Sequence, residues 1–168
     1  MTARPSALSR LFLQPGEYCI AADPTVVTTV LGSCVSLTMF HRRTRTGGIC
    51  HARLPSGQGR LLYRFVDGAI YGMLGEFQER GIPYQELEVK LFGGAELMGA
   101  DPLAAKRCVG RQNVEVAQRI LTGERLRLRA SVTGGAHGCK IAFYTHTGEV
   151  LLQRLGERPQ QSPLRRAG

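Results

Sequence analysis

Thr25-Val26-Val27-Thr28-Thr29-Val30-Leu31-Gly32-Ser33-Cys34-Val35-Ser36-Leu37-Thr38-Met39-Phe40 is the stretch from which the fold is read. Thr25 to Leu31 is rich in β-branched residues and reads as a strand. Val35 to Phe40, apolar at 35, 37 and 39, reads as a second strand. Between them Gly32 permits a sharp turn that a Cβ would resist. Ser33 and Cys34 follow. A thiol on a turn between two packed strands is held still while its sulfur stays reachable. Backbone N–H groups of such a turn can also face a developing oxyanion, which makes Gly32 and Ser33 the expected turn and oxyanion residues.

Outward from this stretch, Gly16 to Ile20 reads as a first strand, and residues 1–15 as a loose arm. His41 to Gly48 is a polar turn and Ile49 to Leu54 a further strand. A hairpin of 35–40 with 49–54 would bring Cys34 and His51 into one neighbourhood. Phe65 to Arg80 is the clearest helix, with Val66, Ala69, Ile70, Met73, Leu74 and Phe77 on one face and Gly81 and Pro83 ending it. Leu87 to Phe92 is a strand, and Asn113 to Leu121 a second helix. Leu126, Leu128 and Ala130 alternate with Arg125, Arg127 and Arg129, as in a half-buried strand with a solvated charged face. Ile141–Tyr144 and Val150–Gln153 flank Thr147-Gly148 as a hairpin. From residue 156 the chain is a basic Pro- and Gln-containing tail, expected to be disordered. The sum is an α+β fold with two main helices layered on sheet.

At 168 residues the chain is expected to form one domain, running from 16 to 155. It has no apolar run long enough for a transmembrane helix and no apolar stretch typical of a secretory signal, so a cytoplasmic protein without membrane insertion is expected. The net charge of +9 comes from 22 basic against 13 acidic residues. The basic residues are mostly arginine and scattered, without interleaved aromatics, so an acidic protein partner is preferred over nucleic acid. Five cysteines without C-x-x-C spacing argue against a zinc site or a disulfide framework. No ligand cluster calls for a metal or other cofactor.

Cys34 and His51 carry the expected chemistry. A free thiol is mostly protonated at neutral pH, and a neighbouring imidazole can take its proton to form an ion pair. A third group then fixes the imidazole tautomer. His137, in Gly134-Gly135-Ala136-His137-Gly138, is the rival partner, and His41 and His146 read as solvated. The plain alternative for His51 is a strand histidine hydrogen-bonded in the core.

The stretch Thr28 to Cys34, then Gly47-Gly48, His51 and Leu54-Pro55, resembles the CheD family of chemoreceptor glutamine deamidases. Lys90-Leu91-Phe92-Gly93-Gly94-Ala95, Gly110-Arg111-Gln112-Asn113 and Thr133-Gly134-Gly135 extend the resemblance over roughly 16–155. It implies an α/β/β layered sandwich of mixed sheets. It implies conversion of particular glutamines of methyl-accepting chemotaxis receptors to glutamate, with release of ammonia, through a cysteine thioester. The implied catalytic set falls on Cys34, His51 and Thr28, with Thr29 the alternative if the register slips. Many members also bind the CheC phosphatase, so a non-catalytic regulator of that partner is the alternative function. The chain departs from the family pattern at Cys139, where an arginine is usual, and at Val132-Thr133, where an acidic residue commonly precedes the Gly-Gly pair.

Overall fold

A computed structural model describes residues 7–97, 108–156 and 165–167. The strands are β1 (Ser9–Phe12), β2 (Tyr18–Ala21), β3 (Thr25–Leu31), β4 (Val35–His41), β5 (Thr46–Cys50), β6 (Leu87–Gly93), β7 (Leu128–Thr133), β8 (Cys139–Tyr144), β9 (Val150–Arg154) and β10 (Arg165–Arg166). The helices are α1 (Val66–Glu79) and α2 (Val109–Gly123). They make three layers. A front sheet runs β1-β3-β8-β9-β10, and a middle sheet runs β2-β5-β4-β6-β7. Both sheets are mixed, because β1 pairs parallel to β3 and β6 parallel to β7. The helices cover the outer face of the middle sheet.

The middle sheet is therefore buried on both faces, and all of β4 is buried. Alternation along each strand sends side chains to different layers. Val35, Leu37 and Met39 of β4 join Val89 and Leu91 of β6 under α1 and α2. The whole apolar face of α1, from Val66 to Phe77, is buried against them, as the helical spacing requires. Leu31, Ile49, Phe92, Ile141 and Phe143 fill the gap between the two sheets. Each such side chain contributes roughly 1.5–3 kcal/mol by leaving water.

The expected hairpin is present but shifted: its second strand is Thr46–Cys50 rather than 49–54, so Thr46 to Gly48 pair instead of turning (His41 opposite Thr46, Thr38 opposite Ile49) and His51 lies just past the strand end. The β8–β9 hairpin is present too. The N-terminal arm is not wholly loose: β1 adds to the edge of the front sheet, and Leu13 behind it is only 1% exposed. Its backbone pairs with β3 while its side chains stay exposed, so no hydrophobic alternation marked it. In the tail, residues 157–164 and 168 lie outside the described residues. Arg165–Arg166 pair with β9 rather than standing free. His41 is buried at 2% exposure and bonds Thr44 and Glu86 through its two ring nitrogens, contrary to a solvated turn position.

Candidate active site

Cys34 ends the turn after β3. An isolated bridge, Val35 opposite Ala52, carries the β4–β5 ladder two residues past the end of β5. Extending that register sets Cys34 opposite Arg53 and Ser36 opposite His51. Residues directly opposite on an antiparallel pair share a face, as do residues two apart on one strand. Cys34 and His51 thus occupy one face of adjacent strands, diagonal to each other, on the side toward the front sheet. Cys34 is half-buried against the inter-sheet cluster, and His51 is 2% exposed.

The groups behind His51 set its protonation. Thr29 Oγ1 donates to the Leu13 carbonyl at 2.8 Å and lies 2.8 Å from His51 Nδ1. A hydroxyl has one proton, and here it is committed to Leu13. Nδ1 must therefore carry the proton and donate to Thr29, leaving Nε2 bare. Nε2 is buried and without a protein partner. The main chain of His51 is pinned as well: its N–H donates to Glu17 O at 3.0 Å, and its carbonyl accepts from Gly16 N at 2.7 Å.

Thr28 does not reach the ring. Its hydroxyl faces the Leu11 carbonyl of β1 at 3.4 Å, because successive residues of β3 point to opposite faces. Thr29 faces the middle sheet together with Val27 and Leu31. The hydroxyl beside the ring is thus that of Thr29, the alternative to Thr28.

The turn before Cys34 is tied down through its carbonyls. Gly32 O accepts from Ala95 N, and Cys34 O from Gly94 N, each at 2.8 Å. Ser33 O accepts from Asn113 Nδ2 at 2.9 Å, and the same amide donates to Arg53 O at 3.0 Å. Fully buried Asn113 thus clamps the turn of Cys34 to the strand extension that follows His51. In a trans peptide the N–H points opposite to its C=O. Pinning the carbonyls of Gly32 and Ser33 turns the N–H groups of Ser33 and Cys34 the other way. The left-handed glycines of the site are Gly93 (φ +96°) and Gly94 (φ +69°), whereas Gly32 has no positive φ. A Cβ on Gly93 would run into the Cys34 carbonyl oxygen, so close packing there demands glycine.

Burial pushes the Cys34 thiol above its ordinary value, against the pull of the Arg53 guanidinium and of its own backbone N–H. Burial also pushes His51 below the ordinary imidazole value, against a backbone contact at Leu13, and Arg53 lowers it further. Both shifts favour the uncharged forms of thiol and imidazole and act against the ion pair expected from the sequence. Cys50, fully buried, is pushed up to about 12 and is inert. His137 is exposed on the turn before β8. Among the described residues no group of three or more His, Cys, Asp or Glu is placed to hold a metal ion. Cys139 is buried opposite Leu31, and Val132 packs in the inter-sheet core with Thr133 after it at the end of β7.

A thiol and a bare imidazole nitrogen on one sheet face, with a hydroxyl fixing the ring from behind, equip this α/β/β sandwich for cysteine-dependent acyl transfer. The family model described as CheD chemotactic sensory transduction matches residues 53–154. A protein of Geobacter sulfurreducens named probable chemoreceptor glutamine deamidase CheD 2 is 50% identical over 162 residues, spanning 96% of this chain and 100% of that one. One of Nitratidesulfovibrio vulgaris, named probable chemoreceptor glutamine deamidase CheD, is 42% identical over 165 residues, spanning 94% and 82%. A Thermococcus kodakarensis protein with that name is 35% identical over 146 residues, spanning 83% and 89%. The chain belongs to the CheD family.

Asn113, Arg53 and the conformations of Gly93 and Gly94 were not singled out by their chemistry in the sequence. Asn113, Gly93 and Gly94 appeared there only within motifs of the resemblance, because their partners lie far away in the chain.

Proposed function

We propose that this chain is a protein-glutamine deamidase acting on chemoreceptors in the cytoplasm, with Cys34 as nucleophile, His51 as base and Thr29 as the group that orients it. The observation that carries this reading is the Thr29–His51 contact, which leaves Nε2 bare on the face it shares with Cys34. The names of the relatives supply the substrate class. No membrane-spanning helix occurs among the described residues.

The steps start from the uncharged thiol and imidazole that burial favours. His51 Nε2 takes the thiol proton as Sγ attacks the carboxamide carbon. The carbonyl oxygen becomes an oxyanion and accepts hydrogen bonds from the N–H groups of Ser33 and Cys34. The imidazolium returns its proton to the amide nitrogen, the C–N bond breaks and ammonia leaves. A thioester remains. Water attacks it with Nε2 as base, the C–S bond breaks, and the thiol is regenerated beside a glutamate. Thr29 holds the tautomer throughout, and Thr28 takes no part.

The test is incubation with receptor cytoplasmic domains, with peptide mapping by mass spectrometry. Glutamine-to-glutamate conversion is expected with the native chain and none with Cys34→Ala. Turnover retained in that variant would reject the assignment. The family resemblance also nominates a CheC-type phosphatase as partner, which co-purification with that protein would test.

A further inference from the structure

We propose that the cleft at the free edges of the two sheets docks an acidic segment of a partner protein. The cleft, of about 640 Å3, opens between β7, the edge of the middle sheet, and β10, the edge of the front sheet. Its charge is one-sided. Arg42 pairs with Glu88, and Arg166 with Glu149. Lys90, Arg127 and Arg129 also line it, and among the described residues none of them makes an ion pair. Among the described residues, three cations around one cavity thus have no ion-pair partner.

Their placement comes from the fold. Lys90 projects from β6 into the gap between the sheets, where its ammonium donates to Gly148 O and Ala167 O, each at 3.1 Å. Val89 pairs with Leu128 but Lys90 with Ala130, so Arg129 is the extra residue of a β-bulge. Arg127 and Arg129, two apart, keep the common face that the alternation gives them, and that face borders the cleft rather than open solvent. Guanidinium forks bind carboxylates bidentately, so paired acidic side chains match this wall. No aromatic residue lines the cleft, so it offers no platform on which nucleic-acid bases would stack. Lys90 sits opposite Thr38, four positions along β4 from Cys34, or about 13 Å at the rise of a strand. The cleft is thus distinct from the candidate active site, and the inference does not depend on the deamidase reading.

The experiment is fluorescence anisotropy of a labelled glutamate-rich peptide against the full chain. Saturable binding that weakens as salt rises is expected. Arg127→Ala/Arg129→Ala should weaken it by about tenfold or more. Arg10→Ala/Arg119→Ala removes the same charge from β1 and α2, away from the cleft, and should leave it nearly unchanged. Circular dichroism checks that both variants fold. Absence of saturable binding would overturn the proposal. So would an equal loss in both double variants, which would reduce the effect to net charge. Tighter capture of a single-stranded oligonucleotide through Arg127 and Arg129 would assign the cleft to nucleic acid instead.

Discussion

Thr29 Oγ1 lies 2.8 Å from His51 Nδ1, while Thr28 turns its hydroxyl to the opposite face of the same strand. Thr29→Val keeps the shape and removes the hydroxyl that holds the tautomer. General base catalysis contributes about 10²–10⁴-fold, and a ring free to turn should forfeit at least about tenfold of it in kcat. Thr29→Ser should recover most of the loss, and Thr28→Val should stay near the native rate. Steady-state kinetics on a receptor fragment decides between them; damage confined to Thr28→Val would return the role to that residue.

Alkylation of Cys34 by iodoacetamide, followed peptide by peptide against pH, should show a midpoint above the ordinary thiol value of 9.0, because burial dominates. Arg53→Gln removes a positive charge and should raise that midpoint further, while Arg53→Lys should not. The guanidinium is exposed, so the difference should shrink as salt is added. A midpoint below the ordinary value would mean that a preformed thiolate is the resting state.

The lowered proton affinity of His51 also makes stability depend on pH. Its folded value lies below the unfolded one, near about 6.5, so between the two the unfolded chain binds more protons. Stability from this group is therefore complete above about pH 6.5 and is lost as pH falls through the folded value. Thermal unfolding followed from neutral to mildly acidic pH should show a fall in Tm that His51→Gln abolishes. A Tm of the native chain that rises on acidification would contradict the neutral buried ring.

Asn113→Asp keeps the shape but replaces two N–H donors with an oxygen facing the carbonyls of Ser33 and Arg53. Loss of buried hydrogen bonds costs about 1–3 kcal/mol, which urea unfolding should register. Activity should fall further than the loss of folded protein explains, because the clamp spans the segments of thiol and base. Equal losses would leave Asn113 a purely structural residue.

Gly93→Ala should destabilise the chain far more than Gly32→Ala. At Gly93 the backbone has φ +96° and a Cβ meets the Cys34 carbonyl; at Gly32 a Cβ meets only the end of the exposed Leu97 side chain, at 3.2 Å. A left-handed position costs an L-residue about 1–2 kcal/mol before any clash. Denaturation midpoints of the two variants test the order.

How much was legible differs from element to element. α1 was read nearly to its ends, since its apolar spacing records a single buried face. α2 begins earlier than its apolar residues suggest, because Gly110 enters it to let the Gly94–Ala95 backbone approach. β1 was invisible, being held by backbone pairing alone. The burial of His41 was equally hidden, since Glu86, which binds it, lies 45 residues further along.

By itself the sequence determined eight of the ten strands, the two helices, the hairpin joining the cysteine and histidine segments, and the residue types able to open an amide. Local periodicity and turn chemistry act over a few residues, so they can be read from a single chain. Only the tertiary structure decided that Thr29 meets the His51 ring, that Nε2 has no protein partner, that Asn113 ties Ser33 to Arg53 and that five cations, three of them without an ion-pair partner among the described residues, line one cleft. A period of two says that neighbours on a strand face opposite ways. Which way each faces is settled only when a second sheet packs against the first.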